Sequence, residues 1–127
     1  MSLDDQGLRL VHEFHRAFGV LNRDTPDISD EEVNKLRVSL LNEELDELED
    51  ALWRGDMVEV LDALIDLQYV LDGAFWAFGM AHLKEAGLNE VHDSNMSKLF
   101  NGEAQYRADG KILKGPLYRE PDLGRLL

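Results

Sequence analysis

Two long helical segments, parted only by the Gly55-Asp56 break, fix most of what this chain can become. The first begins after Ser29 and runs to about Arg54, and the second runs from about Met57 to about Met80. Each must bury one face, yet each carries carboxylates where apolar side chains belong. The first set is Glu43-Glu44-Leu45-Asp46-Glu47, and the second is Glu59, Asp62 and Asp66. An unpaired carboxylate is costly in an apolar interior, so a positive species is expected among these acids.

On the first helix Val33, Leu36, Leu40, Glu43, Glu44, Glu47 and Ala51 fall within roughly a third of the circumference, with Glu47 near the middle. On the second, Glu59, Asp62 and Asp66 share a sector about 60° wide, and Tyr69 and Gly73 continue its line. Asp46, Glu49, Asp50, Asp56 and Asp72 read as solvated charges. Helices joined by so tight a turn pack antiparallel, which brings Glu47 level with Asp62.

The rest of the chain is also helical in pattern. Leu8, Val11, Phe14, His15 and Phe18 recur at helical spacing and Gly19 ends that segment. Val20 to Asp30 is a loop containing Pro26, and Ser29 with Glu32 makes a capping box for the next helix. Ala81 to Gly87 reads as a short helical or irregular piece and Asn89 to Leu99 as a fourth helix. After Asn101, the Asp109-Gly110 turn is compatible with a small hairpin, and Pro116 and Pro121 keep the tail extended. The expectation is one all-α domain over residues 1–127, an antiparallel bundle of four to five helices with its core at about 8–100 and a tail at 101–127. Its last long helix is apolar around most of its circumference, so it is either central or in a subunit interface.

Composition narrows the functional classes. A net charge of -13 over 127 residues argues against a nucleic-acid or anionic-membrane surface and favours divalent cations as companions. With no cysteine there is no disulfide framework, thiolate metal site or cysteine nucleophile. The acidic stretch Met1 to Gly7 does not read as a secretory signal, and Asp66, Gln68 and Asp72 interrupt the longest apolar run, so a cytoplasmic location is expected.

Mg²⁺ and Mn²⁺ take oxygen ligands, and carboxylates at i, i+3 or i, i+4 on facing helices supply them. Gathered without a cation, the six acids would repel and hold one another's protons; with one to three ions they stay ionised. A carboxylate outside the coordination shell could serve as general base. No Glu-x-x-His pair, Walker A loop or Rossmann fingerprint occurs, so phosphate must be met by metals and scattered bases. No Lys or Arg lies between Arg54 and Lys84. The candidates are Lys98, which shares a helix face with Asn95, together with Lys111 and Lys114 after the turn. His15, of the His12 and His15 pair, is a further candidate nucleotide contact. Phe14, Phe18, Trp53, Tyr69 and Trp76 could stack on a base, although aromatics at helical spacing are more often core.

Glu43-Glu44-x-x-Glu47 followed by Glu59-x-x-Asp62 and Asp66 resembles the EExxE and ExxD signature of the all-α NTP pyrophosphohydrolases, the superfamily of MazG, phosphoribosyl-ATP pyrophosphohydrolase and dimeric dUTPase. Phe14 to Gly19, Asp62 to Val70, Ser94 to Lys98 and Asp109-Gly110-Lys111 extend the resemblance to the compact MazG-like branch along almost the whole chain. It implies hydrolysis of a nucleoside triphosphate between the α and β phosphates, with Mg²⁺ or Mn²⁺ as cofactor. Glu44, Glu47, Glu59 and Asp62 would be metal ligands, and Glu43 a further ligand or the group that orients the attacking water. Asp66 stands in the sequence context usual for the second motif's Asp, so either Glu59 or Asp66 pairs with Asp62. Asn95 and Lys98 would contact the nucleotide, and two subunits would pack as a homodimer or dimer of dimers. The rival expectation is a non-enzymatic, antitoxin-like helical dimer whose acids face a basic partner.

Overall fold

A computed structural model describes residues 4–127; Met1 to Leu3, part of the stretch read above as no secretory signal, lie outside the described residues. Four α-helices appear, with no strand among the described residues: α1 (Gln6–Phe18), α2 (Glu31–Arg54), α3 (Met57–Ala77) and α4 (Lys84–Met96). Contacts divide the chain into two compact units, Met1–His82 with α1 to α3, and Leu83–Leu127 with α4. No helix among the described residues is long and apolar enough to cross a membrane.

Local chemistry sets each boundary. Asp5 caps α1 by accepting from the Leu8 amide at 2.9 Å, and Gly19 closes it in the left-handed conformation. The cap of α2 is Asp30 rather than the expected Ser29. Asp30 accepts from the Glu32 and Val33 amides, while the Ser29 hydroxyl is already donated to Asp27 at 2.7 Å. Gly55 ends α2 at φ 67°, a region open to glycine, and Asp56 starts α3 by accepting from the Glu59 amide. The α3 helix stops three residues before the expected Met80. Gly79 turns left-handed at φ 71°, and the Met80 amide donates back to the Phe75 carbonyl at 2.8 Å. A side chain at Gly79 would also collide with the Thr25 carbonyl. The fourth helix begins five residues before the expected start, because Gly87 lies inside it and does not break it.

In the first unit α3 packs against both α1 and α2. Leu8, Val11, Trp76 and Ala81 form a small buried cluster with Phe75 against it, and the Trp76 indole donates to the Leu8 carbonyl at 2.8 Å. Ala51 and Ala63 are buried small residues of α2 and α3. The loop between α1 and α2 is tied to the end of α3 by Arg23, whose side chain donates to the Asp27 and Ala77 carbonyls. Asp72, expected as a solvated charge, is buried at 1% exposure and accepts from Gln68. Trp53, by contrast, is 90% exposed, and Met57, Val58, Leu61, Leu64 and Ile65 leave a large part of α3 uncovered.

In the second unit the C-terminal segment folds onto α4. Glu90, nearly fully buried, accepts from Arg119 (2.7 Å), Arg125 (2.8 Å) and the Asp122 amide (3.0 Å). Ser94 donates to the Arg119 carbonyl, and the Gly115 amide donates to the Lys98 carbonyl at 2.8 Å. The expected hairpin is reduced to one antiparallel bridge, Tyr106 with Ile112, across the Asp109-Gly110 turn.

Candidate functional site

The antiparallel seam of α2 and α3 brings acids from both helices together. Glu44, Glu47 and Asp66 each offer a carboxylate oxygen, and these oxygens all lie within 4.8 Å of one another. Glu44 and Asp66 are half-buried, whereas Glu47, expected near the middle of the apolar stripe, is exposed.

The electrostatics follow from that crowding. Burial first, then the charges of Glu47 and Asp66, raise the Glu44 carboxyl above its ordinary value. Burial first, then Asp62 and Glu47, raise Asp66. Asp62 therefore stands beside Asp66, and Glu43 beside Glu44, both exposed. Glu59 is exposed and lies outside the three-oxygen group.

The donor set suits a hard divalent cation. All three donors are carboxylate oxygens, as Mg²⁺ and Mn²⁺ prefer. Among the described residues no lysine, arginine or histidine forms an ion pair with them, and Glu44 Oε2 is buried with no hydrogen-bond partner. Such an orphaned acceptor is expensive unless something positive meets it.

His15 is almost fully buried. Its Nδ1 faces two acceptors, the Leu21 carbonyl (3.1 Å) and Asn22 Oδ1 (3.0 Å), so Nδ1 carries the proton and Nε2 a lone pair. Burial lowers its pKa, and the imidazole is neutral near pH 7. Beside it lies Arg37, which the sequence reading passed over; it stands at helical spacing from Val33, Leu40 and Glu44, a basic residue on an apolar stripe. Asn95 and Lys98 sit at the end of α4, where the tail's contacts to Ser94, Ser97 and the Lys98 carbonyl hold the backbone. Lys111 donates its amide to Asp109, and Lys114 lies over the Tyr118 ring, 4.7 Å from its centre. Of the aromatics, Trp76 is core, Trp53 is not, and Phe14 packs with Phe18 and Tyr69 at a partly exposed edge.

The family profile described as phosphoribosyl-ATP pyrophosphohydrolase matches residues 11–95. That span holds all six acids, His15 and Asn95, and stops short of Lys98, Lys111 and Lys114. No curated protein matches the chain.

Proposed function

The chain belongs to the phosphoribosyl-ATP pyrophosphohydrolase family and is a pyrophosphohydrolase, a hydrolase of phosphorus anhydrides, and from this we propose that it cleaves a nucleoside or deoxynucleoside triphosphate between the α and β phosphates. The products are the monophosphate and pyrophosphate, and the role is cytoplasmic upkeep of the nucleotide pool. The observation that carries this reading is the convergence of Glu44, Glu47 and Asp66.

In this proposal those three carboxylates hold Mg²⁺ or Mn²⁺, with Asp62 completing the set beside Asp66. Glu59, one turn before Asp62, serves a further ion. When bound, the cation supplies neutralising charge to the triphosphate and Lewis acidity at the anhydride. Glu43 orients a water and takes its proton as the oxygen attacks the α phosphorus; the bond to the bridging oxygen breaks and pyrophosphate leaves. The amide of Asn95 suits a sugar hydroxyl and the ammonium groups of Lys98, Lys111 and Lys114 suit phosphate oxygens, and they are the proposed nucleotide-binding residues on that chemistry alone. The enzyme works as a homodimer or dimer of dimers, which would cover the apolar side chains left bare on α3.

The test is a panel of canonical and modified nucleotides, with Mg²⁺ and with Mn²⁺, assayed for released pyrophosphate. Glu47→Gln is expected to cut turnover by more than about 100-fold, beyond the loss typical of an outer-shell partner. Because Glu47 is exposed, the melting temperature of the metal-free protein should barely change. Turnover at the parent rate would remove Glu47 from the site.

A further inference from the structure

The α2–α3 seam holds a second buried polar group that is only partly partnered. Arg37 is 5% exposed, in a chain with 26 acidic residues, yet among the described residues no carboxylate pairs with it. Its Nη2 donates to the Val70 carbonyl at 2.9 Å, and its Nε is buried with no hydrogen-bond partner. A buried guanidinium is normally paired, since stripping its water without an anion or strong acceptor is costly. One turn earlier on α2, Asn34 Oδ1 is also buried without a partner.

Position gives this arginine its meaning. Arg37 stands seven residues before Glu44, and its guanidinium lies against Gly73, which stands seven after Asp66. The two pairs thus face each other in one antiparallel register, two helical turns or about 10 Å apart along the seam. Between them Tyr69, one turn beyond Asp66, meets the Phe14 ring edge-on at 5.6 Å between centres, and both rings are partly exposed. The order along the seam is carboxylates, aromatic edge, arginine. A nucleotide has the same order and a comparable span: phosphates, a flat ring, and the hydrogen-bonding far edge of that ring.

We propose that the nucleobase lies against the Phe14–Tyr69 edge and that Arg37 donates to a carbonyl oxygen of the base. Arg37 then selects uracil, thymine, cytosine and guanine over adenine, which carries no carbonyl. The inference rests on the reading of the acids as the phosphate end.

The test uses the full chain and its Arg37→Met and Arg37→Lys variants. kcat/KM is measured for dCTP, dUTP, dGTP and dATP with Mn²⁺, and the melting temperature is followed with each nucleoside monophosphate. The parent is expected to favour the carbonyl-bearing bases by about tenfold or more, since tenfold is about 1.4 kcal/mol, the net worth of one hydrogen bond. Arg37→Met should erase most of that ratio through KM, and with it the larger melting shift given by dCMP than by dAMP. Arg37→Lys, which keeps a donor, should retain part of both. A parent that favours adenine, an equal loss on every nucleotide and on inorganic tripolyphosphate, or an unchanged ratio with a lower melting temperature would each overturn the assignment. If Arg37→Met does not fold, the ratio in Arg37→Lys decides, and an unaltered ratio there also overturns it. If no nucleotide yields pyrophosphate, the proposed function fails by itself, while the monophosphate melting shifts still judge Arg37.

Discussion

Glu90 and Asp66 are both helix-borne carboxylates, and their surroundings drive them in opposite directions. Three donors hold the Glu90 carboxyl at about 2, down from 4.5, with the Asp122 amide the largest cause and the two arginines next. Burial and neighbouring acids push Asp66 and Glu44 up. A depressed carboxyl adds stability above its unfolded value and loses it as pH falls towards its folded value. A raised carboxyl does the reverse: the folded state binds its proton more tightly, so stability rises as pH drops through the folded value. The metal-free protein is therefore expected to melt highest at mildly acid pH and to lose stability between about pH 4.5 and about 2. Glu90→Gln should lower the melting temperature at pH 7 by at least about 5 °C and remove most of that acid limb. Melting curves across pH for both proteins check the two slopes.

At the level of elements, termination and capping were readable wherever one residue had one option. Gly19 and Gly55 end their helices where the sequence puts them, because a left-handed C-cap is a property of glycine itself. Ser29 and Asp30 could each cap α2, and the choice went to Asp30 because Asp27 takes the Ser29 hydroxyl, a contact visible only in three dimensions. Gly79 ends α3 early for a tertiary reason as well, since the loop at Thr25 passes close to its backbone. The two glycines predict unequal costs. At Gly55 nothing lies near an added methyl group, so Gly55→Ala should cost about 1 kcal/mol for its backbone angle alone. Gly79→Ala carries the same angle plus the Thr25 collision and should cost more than about 2 kcal/mol, measured by urea unfolding.

For the whole molecule, the helical class and the acids of the seam were legible because periodicity places residues on faces. Which acids meet depends instead on how far two helices slide past each other, and no wheel contains that. In the structure the register sets Glu44 and Glu47 against Asp66, one turn further along α3 than the expected Asp62. Arg37 stayed hidden because its burial is a property of the assembled three-helix unit. A 127-residue chain that leaves Leu61 and Ile65 about 60% exposed on one helix should bury them against a second copy. Ile65→Glu is expected to reduce the mass seen by light scattering to that of the 14.5 kDa monomer, with helicity retained. An unaltered mass would place any interface elsewhere. The chain's two tryptophans also sit in opposite surroundings, Trp53 open at the end of α2 and Trp76 enclosed by α1. Their emission should thus divide into a red, quencher-accessible part and a blue, shielded part. One fluorescence trace can then separate the loosening of the outer surface from the collapse of the core.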